Sequence, residues 1–110
     1  NEHEYTASAW MSLGYANQMQ NKTRESEKAY ENSYQIYLNK LGKSHEYTKT
    51  ARNLLTQTYQ NNENYKKLIP LVESELPDLQ PDTQDYAITL NNLGYFSDQI
   101  DDFVKAEKYY

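Results

Sequence analysis

Apolar and small residues return along this chain at steps of three and four, with polar breaks between the runs. From Glu4 to about Gln20 the recurring positions are Ala7, Trp10, Met11, Leu13, Gly14 and Tyr15, so the spacing predicts an amphipathic first helix. Residues 18–23 are polar and include Asn21, which lets the chain turn. Ser26, Tyr30, Ser33, Tyr37 and Leu41 then stand 4, 3, 4 and 4 apart, on one face of a second helix from about Arg24 to Leu41. Gly42 closes it: a glycine just past the last periodic residue takes left-handed backbone at no steric cost, and Lys40 and Lys43 suit the negative end of the helix dipole.

Ser44 is the expected N-cap of a third helix to about Gln60, followed by the polar turn Asn61-Asn62-Glu63. A fourth helix from Tyr65 to about Leu76 carries Pro70 two turns in. Proline there removes a backbone hydrogen bond and costs about 3 kcal/mol against Ala, so on propensity alone the helix would split. Pro77 and Pro81 bracket a linker, Asp82 is the expected cap of a fifth helix to about Gln99, and a sixth begins near Asp102 and is unfinished at Tyr110. Helices joined by such short turns pack as antiparallel hairpins. The expected organisation is one domain of three helix-turn-helix units over residues 4–41, 45–77 and 82–110, the last cut short.

These units share a motif. The stretch Asp85 to Tyr95 holds the pair Leu93-Gly94, which returns upstream as Leu13-Gly14 and Leu55-Thr56, at spacings of 42 and 38. A period of that size marks a stacked helical array, in which each hairpin buries its apolar stripe against its neighbour.

Composition and charge narrow the function. Twelve of the aromatics are Tyr, one is Trp and two are Phe, so the interior is built largely from rings whose hydroxyls reach the surface or a partner. Residues 1–55 carry seven Lys/Arg against six Asp/Glu, and residues 56–110 carry four against ten. That acidic second half offers no basic face for nucleic acid. There is no Cys for a disulfide or a thiolate metal site, no apolar run near the ~20 residues of a membrane span, and no leader-like opening, so a cytoplasmic, membrane-free protein is expected. The sequon Asn21-Lys22-Thr23 would matter only in a secreted chain.

Catalytic chemistry is not apparent. His3 and His45 lack ligand-spaced partners and sit where a helix is about to begin, which suits capping or solvent exposure better than a metal. The carboxylates Asp101-Asp102 and Asp78, Asp82 and Asp85 have neither an apolar pocket nor calcium-loop spacing, and are better explained as helix-start acids. With three Gly in all, no phosphate-cradling loop exists, and the stripe Tyr30, Tyr34, Tyr37 suits helix packing better than base stacking. No enzyme activity and no cofactor are expected.

The motif resembles the tetratricopeptide repeat, W-x2-L-G-x2-Y, then A-x3-F, then P. Thirteen residues beyond Leu13, Leu55 and Leu93 stand Ser26, Leu68 and Ala106, where the pattern wants a small residue. Seventeen beyond stand Tyr30, Val72 and Tyr110, where it wants a bulky one. Trp10 precedes Leu13 by three, and Tyr59 follows Leu55 by four. The long first period, Leu41 to Tyr47 as a linker, Leu90-Asn91-Asn92-Leu93-Gly94 as a first helix, and Pro70 two before Val72 are similar to the kinesin light chain type of this repeat. Asn17 and Ser97 depart from the aromatic, Arg52 from the Trp, Leu68 from the small residue and Thr56 from the Gly, so the middle repeat is expected to pack less regularly.

The resemblance implies an all-α, right-handed superhelical array of antiparallel hairpins, an α-solenoid whose concave groove accepts a protein or peptide. It also implies which residues face that groove: Met11, Tyr15, Gln18, Asn53, Gln57, Gln60, Asn91, Asn92, Tyr95 and Asp98. Their amides can pair with an extended backbone, and Asp98 favours a basic ligand. The alternative is a sensor or regulatory segment of a larger bacterial enzyme or regulator, as in arrays that precede caspase-like protease domains. Phe103 and Ala106 on the terminal helix form an apolar edge through which self-association is expected.

Overall fold

Helical spacing is realised as helix wherever the chain is described. The computed structural model describes residues 2–100 and Tyr109, with side chains from Tyr5 onward. Among these residues the protein is all helical, without strands: α1 (Glu2–Met19), α2 (Thr23–Leu41), α3 (Glu46–Asn61), α4 (Tyr65–Glu73) and α5 (Gln84–Gln99), with a 3-10 turn, Leu76–Asp78, between α4 and α5. The sixth helix expected from Asp102, with Phe103 and Ala106, lies outside the described residues.

The element boundaries recur with the period of the motif. α1 and α3 end at Met19 and Asn61, and α2 and α4 begin at Thr23 and Tyr65, each pair 42 positions apart. α3 and α5 begin at Glu46 and Gln84 and end at Asn61 and Gln99, each pair 38 apart. The turns recur as well. Asn21 and Glu63 both take left-handed backbone, at φ 60° and 57°. Each is followed by an N-cap of nearly the same geometry, Lys22 at φ −90°, ψ 81° and Asn64 at φ −86°, ψ 67°.

Several ends differ from expectation. α1 begins at Glu2, so His3 lies inside its first turn rather than ahead of it. His45, not Ser44, caps α3, its Nδ1 accepting the Tyr47 amide at 3.0 Å. Thr83, not Asp82, caps α5, its hydroxyl oxygen accepting the Tyr86 amide at 3.3 Å. In both cases the cap is the last residue with extended backbone, φ −67°, ψ 143° at His45 and φ −95°, ψ 159° at Thr83, because only that conformation aims a side chain back at the first free amides. Gly42 ends α2 as expected, at φ 87°, with its amide on the Leu38 carbonyl. α4 runs through Pro70 without splitting but stops at Glu73. Lys66, whose carbonyl loses its amide partner, and Pro70 are both exposed, so water can take the amide's place.

The chain divides into two compact units, residues 1–62 and 63–110. In the first, α2 packs against both α1 and α3. Ala7, Tyr37 and Ala51, one from each helix, form a buried cluster covered by Met11, Tyr34, Ile36 and Leu41. α3 is tied to α2 by polar contacts as well: the Tyr59 hydroxyl donates to Glu31, and Asn62 Nδ2 donates to Glu27 Oε1 at 3.0 Å. Small residues let the helices approach closely. Ser26, Ser33 and Thr48 are buried with no hydrogen-bond partner for their hydroxyls.

Leu13 departs from its counterparts. It is 46% exposed, whereas Leu55 is 3% and Leu93 0% exposed, because no helix of its unit covers the α1 face that carries Thr6, Ala9, Trp10 and Leu13. In the second unit α4 packs on α5 through Leu68, Ile69, Val72, Leu93 and Phe96. Tyr65 stacks on Phe96 with ring centroids 5.6 Å apart, and the buried Tyr109 donates its hydroxyl to Glu73.

Candidate functional site

A groove runs between α1 and α3 in the first unit, with α2 as its floor. Side chains at steps of three and four line each wall, since one helical stripe faces the opening. α1 contributes Tyr5, Ser8, Met11, Ser12 and Tyr15, and α3 contributes Glu46, Tyr47, Thr50 and Leu54. The walls are in register with the motif: Tyr5 and Tyr47, Ser8 and Thr50, and Ser12 and Leu54 are each 42 positions apart.

Two adjoining hollows make up the groove and share Ser8 and Met11. The larger, of about 640 Å³, lies among Tyr5, Ser8, Met11, Tyr37, Glu46, Tyr47 and Thr50, and the smaller, of about 320 Å³, reaches Tyr15, Tyr30 and Leu54. Both are of the size that holds a small ligand or one or two side chains of a peptide. Tyr37 and Tyr47 meet at a centroid distance of 5.7 Å and a tilt of 52°, and His45 lies 5.0 Å from Tyr47 on the loop side.

Tyr30 forms part of the floor. Burial raises its phenol above the ordinary tyrosine value, with a smaller contribution from Tyr15, so it stays a neutral donor and gives its proton to Gln18 Oε1 at 3.0 Å. Among the described residues Glu46 is the one charged residue that lines either hollow. The lining that these residues form offers apolar surface, hydroxyls and one carboxylate, which can cover an apolar group and meet a polar or cationic one.

The residues implied by the resemblance fall in four places. Met11 lines both hollows and Tyr15 the smaller one. Gln18 stands one turn further along, bonded to Tyr30, beside a separate polar hollow of about 180 Å³ with Asn21, Ser26, Thr58, Asn61 and Asn62. Asn53, Gln57 and Gln60 are exposed on α3, on the stripe that continues from Thr50. In the second unit Asn91 and Asn92 are exposed beside buried Leu93, Tyr95 is half exposed with its ring perpendicular to that of Tyr65 at a centroid distance of 6.4 Å, and Asp98 is half-buried. Tyr5, Ser8, Glu46, Tyr47, Thr50 and Leu54 were not foreseen. Running the stripe of Met11 and Tyr15 back by one turn reaches Ser8, and the 42-residue step from Tyr5 reaches Tyr47.

Among the described residues no three His, Cys, Asp or Glu converge where a metal ion could be held, and no helix is long and apolar enough to cross a membrane. The sequence matches no family model and shows no significant match to a curated protein.

Proposed function

We propose that the chain is a protein-interaction module of the tetratricopeptide type, a right-handed superhelical array of hairpins whose groove accepts a peptide or an extended partner segment. The observation that carries this reading is the α1–α3 groove, whose facing walls repeat at the 42-residue step and are built from Tyr, Met, Ser and Thr. Tyrosine and methionine present large adaptable contact area, and hydroxyls pair with a backbone of any sequence. The recurrence of helix ends and left-handed turns at the same step supports the array, as does the contact of Gly14 with Tyr30. In this reading the exposed amides of Asn53, Gln57 and Gln60 extend the binding stripe, and Asn91, Asn92, Tyr95 and Asp98 serve the corresponding face of α5. The lack of Cys in this sequence is compatible with work in a reducing compartment such as the cytoplasm.

Selection of binders from a random peptide display, followed by calorimetric titration, tests the assignment. Truncating a central aromatic of an interface costs at least about 2 kcal/mol, roughly 30-fold in Kd, so Met11→Ala/Tyr15→Ala weakens the selected peptides by more than roughly tenfold. Arg24→Ala/Lys28→Ala, exposed on α2, leaves affinity unchanged. Loss in the α2 pair with none in the groove pair would place binding outside the groove and refute the reading.

A further inference from the structure

The larger hollow has a composition that goes beyond generic peptide binding. Tyr5 and Tyr47 stand on its two walls, 79% and 52% exposed, and Tyr37 closes it from below. Aromatic faces carry the negative lobe of a quadrupole and attract cations. Glu46 supplies a full negative charge at the rim, and among the described residues no lysine or arginine lines the space. Thr50 gives its hydroxyl proton to the Glu46 carbonyl at 3.0 Å, which leaves its oxygen as an acceptor.

One opposing effect is present. The N-terminus of α3 carries about half a positive charge, which disfavours a cation. The Glu46 carboxylate outweighs it, and His45 Nδ1 already takes the Tyr47 amide. The balance favours a positive group. Between the two cationic side chains, a guanidinium is planar, stacks on a ring and pairs with a carboxylate through two bonds, while an ammonium holds its water more tightly.

Resting on the groove reading above, we propose that this cleft binds an arginine side chain of the partner segment, stacked on Tyr47 and paired with Glu46. The probe is Nα-acetyl-argininamide, titrated into the full chain labelled with 15N, with the lysine and citrulline analogues as comparisons. The arginine probe shifts the amides of Tyr5, Glu46, Tyr47 and Thr50 saturably. The citrulline analogue, of the same shape without charge, binds roughly tenfold more weakly or not at all, and the lysine analogue roughly threefold more weakly. Glu46→Gln lowers affinity by about fivefold or more, and Tyr5→Leu, which keeps apolar area but removes the ring, by about threefold. Both positions are exposed, so the folded spectrum is retained and serves as the control.

Equal binding of citrulline and arginine, shifts centred on acidic residues elsewhere such as Asp85 and Asp98, or an unchanged Glu46→Gln would each overturn the site. Display-selected peptides that lack arginine, yet depend on Met11 and Tyr15, would also overturn it while leaving the groove assignment standing.

Discussion

A single methyl group measures how closely α1 meets α2. A Cβ added at Gly14 would lie 2.7 Å from Tyr30 Cε1 and 2.8 Å from Cδ1, inside contact distance. Tyr30 is 1% exposed and its hydroxyl is engaged with Gln18, so the ring has nowhere to go. Overpacking a core costs about 1–3 kcal/mol, and Ala regains up to about 1 kcal/mol of helix propensity over Gly. Gly14→Ala is therefore expected to lower stability by about 1–2 kcal/mol in urea unfolding. An unchanged midpoint would show that the helices separate freely. The Leu13-Gly14 pair and the bulky residue at position 30 were both legible in the sequence. That one exists to make room for the other was not, because the contact joins two helices.

The turns show the same division at the scale of elements. Asn21 and Glu63 occupy equivalent places after α1 and α3, both left-handed. Asn tolerates that backbone, whereas a long side chain pays about 1–2 kcal/mol for it. Glu63→Asn is expected to raise stability by about 0.5–1 kcal/mol, seen as a melting temperature a few degrees higher in calorimetry. A lower melting temperature would mean that the Glu63 side chain makes contacts outweighing the strain. Asn61-Asn62-Glu63 reads as a turn from composition, but nothing local says which of the three residues takes the positive φ. The caps repeat this lesson: Ser44 and His45 are adjacent polar residues, and the path from Gly42 decides which is extended.

At the scale of the molecule, tyrosine–carboxylate links recur. Glu31 accepts from Tyr59 in the first unit and Glu73 from Tyr109 in the second, the two acceptors lying 42 positions apart. Burial raises both phenols above 10, and bonding to the carboxylate and its charge add to this, with Glu27 also acting on Tyr59 and Tyr86 on Tyr109. Tyr109 is pushed up to about 12.

Above pH 10 the unfolded chain loses these protons while the folded chain keeps them, so the folded state binds more protons and stability falls as pH rises. The contribution is complete below pH 10 and drains away as pH approaches the folded values. Urea midpoints from pH 8 to 12 should fall only above about 10. Tyr59→Phe should cost about 1–2 kcal/mol at neutral pH and flatten that fall. A Tyr59→Phe protein as steep in alkali as the parent would exclude this link as the cause.

Helix type, the places of the turns and the 42- and 38-residue recurrence were determined by the sequence alone, because they depend on neighbours three or four residues away and on the backbone habits of Gly, Asn and Pro. Tertiary structure alone decided which half of each stripe is covered. Leu13 and Leu55 have the same local setting, yet only the second is buried, because the packing of α2 on α3 covers one and no helix of the unit packs over the other. It also set Tyr5 and Tyr47 on opposite walls of one cleft with Glu46, since a cleft between two helices is a property of their separation, which no local pattern specifies.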